Sequence, residues 1–237
     1  MHIPDGYLSP QTAIPFVIAM VPVWSIAIKK VQRNLKKKDV PVLSIGAAFS
    51  FTIMMFNLPI PGGSSAHAVG AVLLAILLGP WAACIGVSVA LIIQALVFGD
   101  GGILAIGANC FNMGFIMPMV GYYVYKLVKG NANNQSTRAM VAAALAGYIG
   151  LNMAALFTAV EFGSQFHLFK AVDGTPLYFM YPLKVAVAAM MSEHITLAGP
   201  VEALVTFLGY KFVSTTYPNI LSEKLIVNGD WGIKENV

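Results

Sequence analysis

The sequence predicts an all-α membrane protein of seven transmembrane helices, with the N-terminus outside and the C-terminus inside. Three observations predict it. Hydrophobic residues make up 58% and charged residues 10% of the 237 positions, and the mean hydropathy is +0.76, far from the balance of a water-soluble domain. Loops rich in Pro, Gly and polar residues divide the chain into apolar runs with room for helices of about 20 residues. The basic residues gather in two loops, which constrains the number of crossings between them.

Residues 1–10 (MHIPDGYLSP) form a short leader punctuated by Pro and Gly, not a helix. The apolar run from Gln11 to Ile28 lacks a basic segment before it and meets the basic cluster KKVQRNLKKKD after it. It is therefore read as a retained helix, not a cleaved signal. A second run, Val42–Phe56, ends in the Pro/Gly/Ser loop NLPIPGGSSAH. Apolar sequence then extends from His67 to Phe98, broken by Gly79-Pro80, and the loop GDGG follows at 99–102. Ile103–Tyr125, Ala139–Val160 and Tyr181–Tyr210 complete the apolar regions, with a mixed stretch at 161–180. The whole is read as a single transmembrane domain, 1–237: leader 1–10, helices over about 11–210, and a polar cytoplasmic tail at 211–237.

The basic loops decide whether 67–98 is one helix or two. Lys29, Lys30, Arg33, Lys36, Lys37 and Lys38 mark one cytoplasmic loop, and Lys126, Lys129 and Arg138 mark another. Two loops on one side require an even number of spans between them, so 67–98 is split at Gly79-Pro80. The span 67–79 is then too short, at about 1.5 Å per residue, to cross a ~30 Å hydrocarbon core. Its preceding loop is expected to dip inward, where irregular backbone is tolerated only if protein covers it or it lines a cavity. That brings His67 below the outer surface, on the side of Met1-His2.

Several function classes are disfavoured. The net charge of +4 carries no nucleic-acid signal, because six of the 14 basic residues lie in the Lys29–Lys38 loop. Cys84 and Cys110 have no Cys or His at ligand spacing and read as small buried hydrophobes. No G-x-x-x-x-G-K-[ST] motif occurs, so active uptake by this chain would need ATPases outside it. The 12 methionines are scattered and read as packing residues.

Met1-His2 carries the most distinctive chemistry. A free α-amine, the backbone nitrogen of His2 and its imidazole Nδ1 can close two chelate rings around one ion. His67 could add a fourth nitrogen. Four nitrogens in a plane suit Ni(II), with Co(II) second, over tetrahedral Zn(II) and oxygen-seeking ions. A His in a Gly/Ser loop at a helix start also serves as a capping or hydrogen-bonding residue, and the residues alone leave both readings open. Asp5, Ser64, Ser65, Asp100, Asn109 and Asn112 are candidates to support the ligands, since a metal-bound imidazole donates its other N–H to an acceptor. Asn109 and Asn112 share a helix face, and amides on an apolar membrane helix are expected to face the bundle interior. Glu193, His194 and Glu202 are ionisable groups within the last span, with roles in metal binding, structure or partner contact left open. Glu161 and His167 read as solvated loop residues. Small residues at Gly46, Ala47 and Ser50, or at Ala142, Ala146 and Gly150, could form a close-approach docking face.

The leader MHIPDGYLSP together with PGGSSAHAVG, FGDGGILAIGANCFNMG (98–114) and SEHITLAGPVEALVTFLG (192–209) resembles the CbiM/NikM family. These are substrate-binding membrane (S) components of energy-coupling-factor nickel/cobalt transporters. The blocks run in the family's order and touch most of the chain. The resemblance implies a six-helix S-component core with an added N-terminal helix. It also implies that the amine of Met1, the amide and imidazole of His2, and His67 hold the ion. Implied partners are a transmembrane coupling subunit, two ATPase subunits and, often, a small accessory membrane protein, with the S component toppling in the membrane to deliver its ion. No catalytic residue and no resident cofactor are expected. The rivals are a stand-alone cation transporter, which would be expected to carry paired intramembrane carboxylates along a path, and a metalloenzyme, which would need an open coordination position.

Overall fold

The computed structural model describes residues 1–35, 37–60 and 64–221. The chain is mostly helical, as its composition predicts. Helix α1 (Pro10–Asn34) starts where Ser9 caps it, its side chain accepting the Thr12 N–H at 3.1 Å, with Pro10 in the first turn. Only Ala13, Met20 and Ala27 of α1 are buried, one stripe at heptad spacing. Its other faces expose apolar side chains such as Ile18, 65% exposed, a pattern suited to lipid contact. Helix α2 (Val40–Met54) leads into a hairpin, β1 (Leu58–Ile60) against β2 (Ser64–Ala66), antiparallel with Leu58 opposite Ala66. This hairpin departs from the all-α expectation. The Pro/Gly/Ser composition that reads as a loop also allows the backbone to pair with itself, which satisfies its polar groups.

Helix α3 (Ala71–Leu78) is buried at every residue and packs on α4, α6, α7 and α9. The short third helix is thus enclosed by protein, which removes the need to span a bilayer. Gly79, at φ 88°, breaks the chain into α4 (Pro80–Ile93), which continues as a π-helical segment, Gln94–Phe98. A short α5 (Ile106–Asn109) runs through the π segment Cys110–Ile116 into α6 (Met117–Lys129). The long α7 (Thr137–Leu168) packs on α6, α8 (Leu183–Glu193) and α9 (Gly199–Thr216), the last two joined by the π segment His194–Ala198. Among the described residues, Pro10–Asn34, Pro80–Phe98 and Thr137–Leu168 are long and apolar enough to cross a membrane.

Two expectations need correcting. Glu161 is not a solvated loop residue: α7 continues to Leu168, and Glu161 lies buried on it, while His167 sits in its last turn. Of the mixed stretch 161–180, residues 161–168 belong to α7, and the chain leaves the helix at Phe169. Of the small residues offered as docking faces, Ser50, Ala142, Ala146 and Gly150 are buried inside the molecule, while Gly46 and Ala47 are half-buried. A Cβ on Gly46 would collide with the Leu74 side chain, Ser50 is buried, and Gly150 faces Val72, Met117 and Gly121. Ala142 and Ala146 are wholly buried. Of the expected tail, α9 takes residues up to Thr216, and 222–237 lie outside the described residues.

Candidate metal centre

The leader does not trail from α1. It is threaded into the bundle, with Met1 and Ile3 fully buried and His2 only 4% exposed. Backbone pairing and side-chain amides hold it there. Ile3 accepts the Gly102 N–H at 2.8 Å, and the Asn109 side chain both accepts from the Ile3 N–H (2.9 Å) and donates to its carbonyl (3.2 Å). Asp5 accepts from the backbone N–H groups of Ile103 and Leu104, both at 3.0 Å. Gly101, at φ 90°, brings the GDGG loop so close that an added Cβ would lie 3.1 Å from the Asn109 amide and 3.4 Å from the His2 ring. Only glycine serves both demands at this position. At the far end of the leader, the Ser9 N–H donates to Gln165 Oε1 at 3.0 Å.

The two histidines meet as the topology predicts, with ring centroids 4.6 Å apart. Their hydrogen bonds select complementary tautomers. His2 Nε2 lies 3.2 Å from Gln94 Oε1, an acceptor, so Nε2 carries the proton and Nδ1 keeps its lone pair. His67 Nδ1 lies 3.1 Å from the Ala68 carbonyl, so its proton sits there and Nε2 keeps the lone pair. Both lone-pair nitrogens, His2 Nδ1 and His67 Nε2, are buried without a hydrogen-bond partner among the described residues. Nδ1 is the imidazole atom that can close a ring with the His2 amide and the terminal amine. The Met1 amine donates to Ser65 Oγ at 3.2 Å.

Burial pushes the Met1 amine down from 8.0 to about 4, against the pull of Asp100, whose charge favours the protonated form. His2 falls to about 4 through burial and the neighbouring terminal amine, again opposed by Asp100 and by Gln94. Both nitrogens are thus neutral at pH 7 and free to act as donors. Asp100 Oδ1 stands 3.5 Å from His2 Nδ1, a negative charge beside the cluster rather than a hydrogen-bond partner of it.

Among the described residues no three His, Cys, Asp or Glu side chains converge as a metal-binding group. What converges here is a mixed donor set: one amine, one backbone nitrogen and two imidazoles. Of the supporting residues expected, Asp5 and Asn109 brace the leader, Ser65 meets the amine and Asp100 supplies charge. Ser64 lies in β2, next to Ser65. Asn112 belongs elsewhere: its amide donates to Thr158 Oγ1 (3.1 Å) and Glu161 Oε2 (2.9 Å), joining the π segment to α7.

Gln94 escaped notice in the sequence. It is fully buried, and its own amide is held by the Phe51 carbonyl at 3.1 Å, so it presents a fixed acceptor to His2. A lone amide inside an apolar run was the available signal. It opens a π-helical segment, and two further π segments follow Asn109 and begin at His194. Such segments turn individual side chains out of helical register and recur at functional sites. β2, the strand that leads to His67, packs against the π segment that begins at His194.

The chain is similar to known metal-transport proteins. The profile of a family described as "Cobalt uptake substrate-specific transmembrane region" (CbiM) matches residues 2–220. The fused nickel transport protein NikMN of Rhodobacter capsulatus is 51% identical over 94% of this chain, and the match spans 65% of that protein's own length. The cobalt transport protein CbiM of Clostridioides difficile is 27% identical over the whole chain and 89% of its own length. Two crystal structures of transition metal transporters superpose with TM-scores of 0.87 and 0.88 at 56% and 53% identity, covering 91% and 97% of this chain and 99% and 100% of theirs. The chain belongs to the CbiM family of cobalt-uptake substrate-specific transmembrane regions.

Proposed function

We propose that the chain is the ion-binding membrane component of an ATP-driven uptake system for a transition metal ion, Ni(II) in preference to Co(II). The observation that carries this reading is the pair of buried, unpartnered lone pairs on His2 Nδ1 and His67 Nε2 beside a neutral terminal amine. Nitrogen donors in this number favour Ni(II) over Co(II) in intrinsic affinity. Charge supports the same reading. A dipositive ion bound with loss of the His2 amide proton, next to ionised Asp100, leaves the buried centre close to neutral, which limits the cost of holding it away from water. The name of the Rhodobacter capsulatus relative, a fused nickel transport protein, supports nickel as the cargo, and this sequence holds no P-loop motif of its own.

In this reading seven helical spans cross the plasma membrane with the leader on the outer side. The basic loops around Lys29–Lys38 and Lys126–Arg138 face the cytoplasm. The ion enters from outside, and a transmembrane coupling subunit with two ATPases, and in some assemblies a small accessory membrane protein, drives its passage. The ion is cargo, and no bond of a substrate is made or broken.

The test is nickel stoichiometry and affinity of protein carrying a free Met1 amine. One residue added before Met1 converts the amine to an amide and so removes its lone pair as a donor. Nickel binding by the extended form at native affinity would rule out the amine as ligand. His67→Ala is expected to abolish tight binding, with the protein still folded by circular dichroism.

A further inference from the structure

Glu202 lies on α9 and is completely buried, yet among the described residues no cationic side chain is a partner that holds it. Its carboxylate reaches across the fold to the start of α3. Oε2 accepts from the Val69 N–H at 2.7 Å, and the Gly70 N–H donates to Oε2 at 3.0 Å and Oε1 at 3.1 Å. Gly70, at φ 73°, precedes the first turn of α3 and has no side chain to cap it. Glu202 thus meets two N–H groups at a helix start from another element, where an anion is also favoured by the helix dipole.

The consequence lies in one peptide plane. The bond between Ala68 and Val69 carries the Ala68 carbonyl on one side and the Val69 N–H on the other, pointing in opposite directions. That carbonyl accepts the His67 Nδ1 proton at 3.1 Å, and that N–H donates to Glu202. A peptide that donates to a carboxylate is polarised, which makes its carbonyl a stronger acceptor. The carboxylate therefore acts on the imidazole through the peptide. It fixes the plane, strengthens the bond to Nδ1–H and keeps the lone pair on Nε2, the unpartnered buried atom. Metal sites commonly orient a ligating His by a carboxylate or a carbonyl on its second nitrogen. Here the two are in series.

We infer that Glu202 is the positioning residue for His67, setting its tautomer and ring direction through the Ala68–Val69 peptide. The ion's fourth nitrogen is thereby governed from α9. The ion-binding half of this inference rests on the proposed function; the tautomer half does not.

The test uses the full chain with a free Met1 amine, labelled with ¹⁵N at histidine. In metal-free wild type, long-range ¹H–¹⁵N spectra are expected to show His67 as a single Nδ1–H tautomer. Glu202→Gln keeps the shape but removes the charge, and it is expected to yield a mixture of His67 tautomers. Nickel affinity should fall about 10–100-fold, the usual effect of losing an outer partner of a ligating His. A folded Glu202→Gln protein with an unchanged His67 tautomer overturns the inference. If wild type binds no nickel, the proposed function fails, while the tautomer comparison still judges the role of Glu202. Should Glu202→Gln fail to fold, the wild-type Val69 amide proton decides. A far-downfield, exchange-protected signal supports the N–H to carboxylate bond, and an ordinary shift overturns it.

Discussion

The imidazole rings of His2 and His67 are stacked, their centroids 4.6 Å apart and their planes inclined by 26°. Each ring is tied by one nitrogen to a fixed acceptor, Gln94 for His2 and the Ala68 carbonyl for His67. Each therefore offers its other nitrogen to the same buried region. The arrangement is pre-set before any ion arrives, so affinity should respond to residues that never touch the ion.

Gln94 is the first such residue. Gln94→Leu removes the acceptor for His2 Nε2–H without opening a cavity, and His2 is then free to take the other tautomer. Nickel affinity is expected to fall about 10–100-fold, with little change in secondary structure. Isothermal titration against wild type checks it. Equal affinities would show that the His2 tautomer is set by something other than Gln94.

Asn109 holds the leader by both of its amide atoms. Asn109→Ala leaves the Ile3 N–H and carbonyl without their side-chain partner, a loss of about 1–3 kcal/mol in docking the leader. Faster exchange of the Ile3 amide and weaker nickel binding should appear together. If exchange rises and affinity does not change, docking of the leader is not limiting for the ion.

The pH dependence follows from the terminal amine and His2. Both are lowered to about 4 when docked, from 8.0 and 6.5. Between those values a released leader takes up protons that a docked one does not, so docking strengthens as pH rises through the window. Stability of the docked leader is complete above about pH 8 and is progressively lost as pH falls toward 4. Nickel binding needs the same neutral nitrogens and should strengthen with pH in the same direction. The docked amine and His2 are already neutral across pH 5–8, so a rise of affinity there reports loss of the His2 amide proton, and affinities that stayed flat would contradict the amide nitrogen as a ligand.

Gly107 governs the contact of α1 with α5. An added Cβ would strike the Val17 backbone nitrogen and lie 2.7 Å from its Cα, and backbone cannot step aside as a side-chain tip can. Gly107→Ala is expected to cost about 1–3 kcal/mol. It should lower the thermal midpoint in detergent, and an unchanged midpoint would mean that α1 is free to shift.

The sequence by itself determined the helical membrane class, the break at Gly79-Pro80 and the pairing of Met1-His2 with His67. Each of these follows from local or one-dimensional signals: apolar run length, a helix-breaking dipeptide, and a leader and a loop assigned to one side by counting charged loops. It also marked Asp5, Ser65, Asp100 and Asn109, because polar residues beside apolar helices must find partners. The tertiary structure alone decided which partners they found. Gln94 and Glu202 are single polar letters in apolar text, and nothing local says that one meets His2 while the other meets the amides of Val69 and Gly70. The same holds for Glu161, whose place on α7 beside Asn112 depends on a helix continuing past an apparent composition boundary. Hydrogen-bond partners far apart in sequence are fixed by how buried elements pack, because a buried donor or acceptor must be satisfied wherever the chain brings it. The sequence therefore named the nitrogens proposed to hold the ion, and the packing chose which lone pair on each histidine stays unpartnered among the described residues.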